Sequence, residues 1–265
     1  MKTSNHLLRR LTAALLAAVL ALSIALPVFA SDDGDTIYIN SVSDLLSLAR
    51  NCAYDQWSVG KTVILQKDLS LEGMLWEPIP SFSGQFKGNG HTISDLTITG
   101  QYSPAGLFGI VEEQGSIESL SVRGVVSVSD SADTTTGGIV GVNHGTLINC
   151  QFTGVVTGDS EVGGIVGRNE SEGTIDHSTA RAIVTGKSST GGIAGYNLGA
   201  ITGCTNVGSI NTEYPEASLD TDGFTAKMVD YINNKMAAAD NDATNSVTNV
   251  ATDTGGIAGR SSGMI

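Results

Sequence analysis

The stretch GGIVGVNHGTLINCQFTGVVTG at residues 137–158 decides the fold, because close copies of it follow along the chain. One copy, GGIVGRNESEGTIDHSTARAIVTG, begins at Gly163, and another, GGIAGYNLGAITGCTNVGSINT, begins at Gly191. Shorter copies are AGLFG, from Ala105, and GGIAG, from Gly255. Near-identical blocks at near-constant spacing indicate a repeat architecture, in which each unit packs only against its neighbours.

Each unit contains three short apolar segments separated by turn residues, at 139–140, 147–150 and 155–156 in the copy quoted first. Three strands of three to five residues per unit predict an all-β fold, a right-handed parallel β-helix with three short strands per coil. The glycines of the block are expected at sharp corners, where a positive φ or a close approach of backbone excludes a Cβ. Residues that are distant in the sequence but share a repeat position then stack in successive coils as ladders. One ladder is predicted to be Leu107, Ile139, Ile165, Ile193 and Ile257, and a second Ile117, Leu147, Ile175, Ile201 and Ile265.

The three cysteines do not form a disulfide framework. Cys150 and Cys204 occupy one repeat position, which Leu120 and Ser178 occupy in the other copies. The two cysteines are therefore expected two coils apart, about 9 to 10 Å, which is beyond the Cα separation of about 7 Å that a disulfide tolerates. We predict free thiols packed inside the coils as small apolar groups.

These blocks resemble the GLUG motif, a repeat of secreted and surface proteins, including bacterial adhesins and the N-terminal region of immunoglobulin A-cleaving metallopeptidases. AGLFG at 105–109 is nearest to the pattern that names the motif, and residues 62–100 resemble the leader of such arrays. The resemblance covers residues 36–211 and 254–265. It implies a β-solenoid and surface display. It implies no protease activity, because the catalytic part of those metallopeptidases lies elsewhere in their chains.

The chain divides into five predicted parts. Residues 1–30, with a basic start, an apolar run and a small-residue site near Ala30, are predicted to be a cleaved secretory signal peptide rather than a membrane anchor. Residues 31–104 form an N-terminal cap and the first coils, with a helix that begins at a Ser41–Asp44 capping box and buries Leu45, Leu48, Ala49 and Cys52. Repeats fill 105–211. A helical and loop insertion at 212–253 has its helix at 225–239, and a truncated repeat occupies 254–265, beyond which we expect a longer protein to continue.

The net charge of −13 disfavours nucleic acid and anionic membrane surfaces as partners. We expect secretion or display at the cell surface, with no membrane insertion of the mature chain. A partner would be a host, matrix or carbohydrate ligand. No histidine pair lies one helical turn apart beside a glutamate, as a zinc protease requires, and no cofactor or metal site is predicted.

One constellation could carry chemistry. Glu112, His144 and Glu170 occupy the same offset in three consecutive coils, so they predict a stacked acid–His–acid row with perturbed pKa values, the weak candidate for a carbohydrate-active site. The row lies beside a two-residue insertion, and the next copy has Leu198 there. We therefore expect no catalytic residue.

Asn143, Asn169 and Asn197 form a second row at a neighbouring offset. Two interpretations remain open. An exposed ladder of asparagines would bind sugar hydroxyls, whereas stacked side chains would hydrogen-bond to each other along the solenoid. The second interpretation is favoured because it needs no ligand.

The sequence thus predicts a non-enzymatic exported β-solenoid that acts as a surface scaffold or adhesin-like binding module. Two alternatives stay open: a spacer region of a larger secreted enzyme of the metallopeptidase kind, and a carbohydrate-active β-helix.

Overall fold

The computed structural model describes residues 35–54, 56–128, 134–211 and 252–265, and for 252–254 only the backbone. The signal peptide predicted for residues 1–30 and the helix predicted for 225–239 lie outside this part of the chain, so both stay predictions. Within the unit that begins at Thr36, the fold is an all-β parallel β-solenoid of about 6 turns. The predicted parallel β-helix is confirmed; its handedness stays a prediction.

The strands lie in four sheets, and the chain passes through them in a fixed order. Sheet A contains β1 (Thr36–Ile39), β2 (Thr62–Leu65), β5 (Gln85–Lys87), β8 (Ser116–Glu118), β12 (Thr146–Ile148), β16 (Thr174–Asp176) and β20 (Ala200–Thr202). Sheet B contains β3 (Leu69–Ser70), β6 (Thr92–Gly100), β9 (Ser121–Val128), β13 (Gln151–Thr157), β17 (Thr179–Thr185), β21 (Thr205–Asn206) and β22 (Ser209–Ile210). Sheet C contains β4 (Ile79–Phe82), β7 (Phe108–Val111), β11 (Val140–Asn143), β15 (Val166–Asn169), β19 (Ala194–Asn197) and β24 (Ala258–Ser261). Sheet D contains β10 (Thr136–Gly137), β14 (Val162–Gly163), β18 (Ser188–Gly191) and β23 (Thr252–Gly255).

Sheets A, B and C correspond to the three strands per coil that the repeat predicts. Sheet D is an addition, and two of its strands are only two residues long. Its strands contain the first glycine of the repeated block. This glycine was expected at a corner, but it lies in backbone that pairs with the neighbouring coil. Gly137 pairs with Gly163 and Gly163 with Gly191, all in parallel register.

The first glycine of the block is required by a close approach of backbone and not by a positive φ. A Cβ on Gly137, Gly163 or Gly191 would collide with the carbonyl oxygen of the residue three positions later, for example that of Val166 in the second copy. None of these three glycines has a positive φ. Of the two reasons expected for the corner glycines, the close approach is therefore the one that applies here.

Both predicted ladders form. Leu107, Ile139, Ile165 and Ile193 are fully buried in successive coils, while Ile257 in the last described coil is half-buried. The backbone carries the same stack, since the N–H of Ile139 donates to the carbonyl of Ile165 at 3.0 Å. In sheet A the second ladder is in register. Its members are Ile117, Leu147, Ile175 and Ile201, and Ile265, which follows the bridge between Ala200 and Met264, is 63% exposed.

The N-terminal cap is confirmed as a helix, α1 (Val42–Asn51). Ser41 is its N-cap, and its hydroxyl accepts a hydrogen bond from the backbone N–H of Asp44 at 3.2 Å, as a capping residue does. Leu45 and Leu48 are buried, so the amphipathic face packs onto the first coils, which would otherwise expose an apolar end.

The corner between sheets A and B is made by residues in the left-handed conformation. These corner residues are Ser119, Asn149, His177 and Gly203, with φ between 45° and 60°. The next residue in each coil then points inward, which places the cysteine column inside the solenoid.

Candidate binding face

The cysteine column agrees with the prediction of free, inward thiols. Leu120, Cys150 and Ser178 are buried and Cys204 is half-buried. The backbone N–H of Cys150 donates to the Ser178 hydroxyl at 3.1 Å, and the backbone N–H of Ser178 donates to the Cys204 sulfur at 3.4 Å. Burial raises the pKa of the Cys150 thiol to about 12. A thiol held in its protonated form is a poor nucleophile, so Cys150 packs inside the coil as a small apolar group.

The asparagine row is not exposed, which corrects one of the two interpretations of the sequence. Asn143, Asn169 and Asn197 have 0% exposed surface. The Nδ2 of Asn143 donates to Oδ1 of Asn169 at 2.7 Å, and the Nδ2 of Asn169 donates to Oδ1 of Asn197 at 2.8 Å. Each amide also donates to the carbonyl of a glycine in its own coil: Gly145, Gly173 and Gly199 respectively. The row is buried because neighbouring coils satisfy every amide, and no sugar hydroxyl can reach it.

The Glu112–His144–Glu170 row has the predicted one-per-coil spacing, because the preceding residues Val111, Asn143 and Asn169 pair in register. Its carboxylates, however, bind other groups. The Ser81 hydroxyl donates to Glu112 at 2.7 Å, and the Arg168 guanidinium donates to Glu170 at 2.6 Å.

Among the described residues, no hydrogen bond joins the His144 side chain to either carboxylate of the row, Glu112 or Glu170.

An open groove of about 330 Å³ does border the first member of that row. Its walls include Ser81, Glu112, Glu113 and Gln114. The second carboxylate that paired-acid hydrolysis requires would have to come from Glu113, the next residue along the chain. Glu112 and Glu113 lie in the turn that follows β7, in which the N–H of Gly115 donates to the carbonyl of Glu112 at 2.7 Å. Adjacent turn residues do not face each other across a cleft, so the pair is poorly placed to flank one glycosidic bond.

A neighbouring column on sheet C joins charge and aromatic stacking. Arg168, Tyr196 and Arg260 are register partners on β15, β19 and β24. Both guanidinium groups lie over the Tyr196 ring, at 4.8 and 5.6 Å from its centroid. Arg168 also donates to Glu161 at 2.7 Å. The charge of Arg168 is therefore already paired with two carboxylates, Glu161 and Glu170, and is not available to an anionic ligand.

Sheet B presents the feature that the sequence reading missed. Arg123, Thr153 and Arg181 are register partners on β9, β13 and β17. They line an open groove of about 330 Å³, which Thr92, Ser121 and Gln151 also border. Among the described residues, no carboxylate lies within ion-pairing distance of either arginine. A signal was available, because the three residues share one repeat offset, in SVRGVV, FTGVV and ARAIV.

The described residues form neither a metal-binding cluster nor a membrane-spanning helix. No group of three or more His, Cys, Asp or Glu side chains is arranged to hold a metal ion there. In the same part of the chain, no helix has both the length and the apolar character needed to cross a lipid bilayer.

The stacked parallel coils define a β-solenoid repeat protein. The repeat itself is recognised by a family model: residues 158–185 match the GLUG motif. The resemblance drawn from the sequence is thereby confirmed for this repeat.

Two relatives share part of the chain. Halomucin of Haloquadratum walsbyi is 31% identical over 155 residues, which is 54% of this chain and 2% of the relative. A protein of Evansella cellulosilytica named "Putative Gly-rich membrane protein" is 29% identical over 137 residues, 37% of this chain and 16% of the relative. The chain therefore spans a small fraction of either relative.

One solved structure has the same fold. It is the crystal structure of a protein described as a "putative immunoglobulin A1 protease" from Bacteroides ovatus, with a TM-score of 0.52 and 20% sequence identity. The match covers 66% of this chain and 58% of that chain. At this identity the likeness concerns the fold alone.

Proposed function

We propose that this chain is an exported, non-catalytic β-solenoid that acts as a surface scaffold or adhesin-like binding module. One observation carries the proposal: the side chains that define the repeat, the isoleucines and asparagines of GGI-x-G-x-N, are buried in successive coils. A motif turned inward stabilises the solenoid and leaves ligand contact to the outward positions. Residues between the repeats can then vary without loss of the fold.

Export and surface location are supported by two observations. The first 30 residues have the basic, apolar and small-residue order of a signal peptide. The printed name of the Evansella relative contains the word membrane. A partner would be a host, matrix or carbohydrate ligand held by the outward side chains.

A spacer role in a larger secreted enzyme is the second candidate, and the fold of the Bacteroides neighbour favours it. A spacer and an adhesin-like module share the absence of catalysis in this chain. They differ in whether the chain alone binds a ligand.

The proposal is tested with residues 31–265 incubated with neutral and acidic polysaccharides and with immunoglobulin A, followed by mass spectrometry of the products. We expect no cleavage. Depolymerisation of any glycan that is lost in the Glu112→Gln variant would overturn the proposal in favour of a carbohydrate-active β-helix. Binding of a glycan without cleavage separates the binding module from the inert spacer.

A further inference from the structure

We propose that the groove on sheet B binds an acidic polysaccharide, whose carboxylate or sulfate groups pair with Arg123 and Arg181. The proposal rests on the proposed function, since it names the ligand class of a non-catalytic binding module. It concerns outward residues that lie outside the GGI-x-G block.

The two arginines are held at a fixed separation by the register of the sheet. Thr153 pairs directly with Arg123 on one side and with Arg181 on the other. Since neighbouring strands are about 4.8 Å apart, the two arginine backbones lie about 10 Å apart along the stack. A glycan chain that runs along the stack advances by about one coil per sugar, and acidic groups on alternate sugars therefore meet the two arginines.

The charges around the groove favour an anion at this position. Neither guanidinium has an ion-pair partner among the described residues, although the chain carries 27 acidic against 14 basic residues. The carboxylate of Asp95 lies on β6, the strand beside β9, and it accepts hydrogen bonds from the hydroxyls of Ser70 at 2.6 Å and Ser94 at 2.8 Å. Two arginines without carboxylate partners in an acidic protein are a local site for an anion, and guanidinium groups bind carboxylate and sulfate with paired hydrogen bonds.

The lining of the groove favours a sugar over other polyanions. Thr92, Ser121, Gln151 and Thr153 contribute hydroxyl and amide groups, which match the hydroxyls of a glycan. A nucleic acid brings one charge per about 1.7 Å of duplex, so two arginines on a chain of net charge −13 give it little net attraction. A glycan with one charge on every second sugar is repelled far less.

Binding of residues 31–265 to hyaluronate and to unsulfated chondroitin, each with one carboxylate on every second sugar, is measured by titration calorimetry, with dextran as the neutral glycan and duplex DNA as the competing polyanion. We expect both acidic glycans to bind, more weakly as salt rises, and dextran not to bind. The Arg123→Gln/Arg181→Gln variant should lose at least about tenfold in affinity, because each arginine contributes charge-assisted hydrogen bonds.

The matched control is Arg50→Gln/Lys87→Gln, which removes two exposed positive charges from α1 and β5 and should leave the affinity unchanged. A second variant, Thr153→Glu, places a carboxylate between the two arginines and should abolish binding while circular dichroism stays that of a β protein. The proposal would be overturned if the control variant lost as much affinity as the arginine variant, or if the arginine variant kept its affinity. It would also be overturned if DNA bound more tightly than the glycans, or if neither acidic glycan bound. None of these results bears on the cleavage assay, so the proposed absence of catalysis is judged separately.

Discussion

The amide of Asn143 donates a hydrogen bond to the amide oxygen of Asn169 at 2.7 Å, although the two residues are 26 positions apart and both are fully buried. The bond links consecutive coils through side chains, parallel to the bonds that link them through backbone. Asn169 then donates to Asn197, so a chain of polarised amides runs through the solenoid. An unpaired amide at this depth is costly, and the ladder therefore favours a single register between coils.

Replacing the central member of the ladder should destabilise the fold strongly. In Asn169→Ala, the Nδ2 of Asn143 and the Oδ1 of Asn197 each lose their partner in the ladder, whereas the carbonyl of Gly173 keeps the bond from the N–H of Ala200. At about 1 to 3 kcal/mol for each unsatisfied group, we expect a loss of about 3 kcal/mol or more in the free energy of unfolding. Urea denaturation measures it. The control is Asn40→Ala at an exposed position, and a loss as small as that of the control would contradict this role for the ladder.

The first glycine of the block should not tolerate a side chain. The Cβ of Gly163→Ala would collide with the carbonyl oxygen of Val166, so backbone must shift in two coils. We expect a loss of about 3 kcal/mol, at the upper end of what overpacking costs. Gly73→Ala is the comparison, because its φ is 75° but nothing lies within 4 Å of a new Cβ. Its loss should be about 1 kcal/mol. Equal losses in thermal or urea unfolding would contradict the close approach of backbone as the reason for glycine at position 163.

The buried thiols should make the fold less stable in alkali. The pKa of Cys150 is raised by burial from 9.0 to about 12, and that of Cys52 to about 11. Above pH 9 the unfolded chain therefore loses these protons before the folded chain does, and stability falls as pH rises towards the folded pKa values. The slope is up to about 1.4 kcal/mol per pH unit for each thiol. Urea unfolding at pH 8 and pH 10 should show a smaller fall in Cys150→Ala than in the parent, and an identical fall would refute the assignment.

The Arg168 network should contribute modestly and depend on salt. Arg168 is 31% exposed and binds Glu161 and Glu170 while it stacks on Tyr196. Because Arg168 is partly exposed, solvent weakens its ion pairs. We therefore expect Arg168→Ala to lower the free energy of unfolding by about 1 kcal/mol at low salt and by less at high salt. Arg168→Lys keeps the charge but loses the forked geometry, and it should recover less than half of that loss. A double-mutant cycle with Tyr196→Leu, which removes the ring, isolates the stacking contribution. Full recovery of stability by lysine would contradict the role given to the forked geometry.

The architecture was predictable because the repeat enforces it. Ile139 and Ile165 share an offset, and parallel stacking of equal offsets follows from the spacing alone. Sheet D was not predictable, since strands such as Thr136–Gly137 are too short to show alternation and contain glycine. Its existence depends on contacts between coils, which local sequence does not reveal.

The binding face was only partly predictable. For Asn169 the sequence left two interpretations open and favoured stacked side chains that hydrogen-bond to each other; the structure agrees with the favoured one, because the neighbouring coils satisfy its amide inside the fold. Arg123 and Arg181 were missed because they lie in the third segment, where the copies differ most. Their candidacy as an anion site depends on the absence of a carboxylate partner within the described part of the chain, which only the folded structure shows.

The most direct test is an alanine scan of the matched repeat, residues 158–185, with the unfolding free energy and the hyaluronate affinity measured for every variant. We expect the variants to fall into two separate sets, one that loses stability and one that loses affinity. Losses of about 2 kcal/mol or more in stability should fall on inward residues such as Ile165, Asn169 and Ile175, and Arg181 should lose affinity with its stability unchanged. Inward substitutions that leave the fold intact, or an Arg181→Ala variant that costs as much stability as Ile165→Ala, would contradict this division between inward and outward residues.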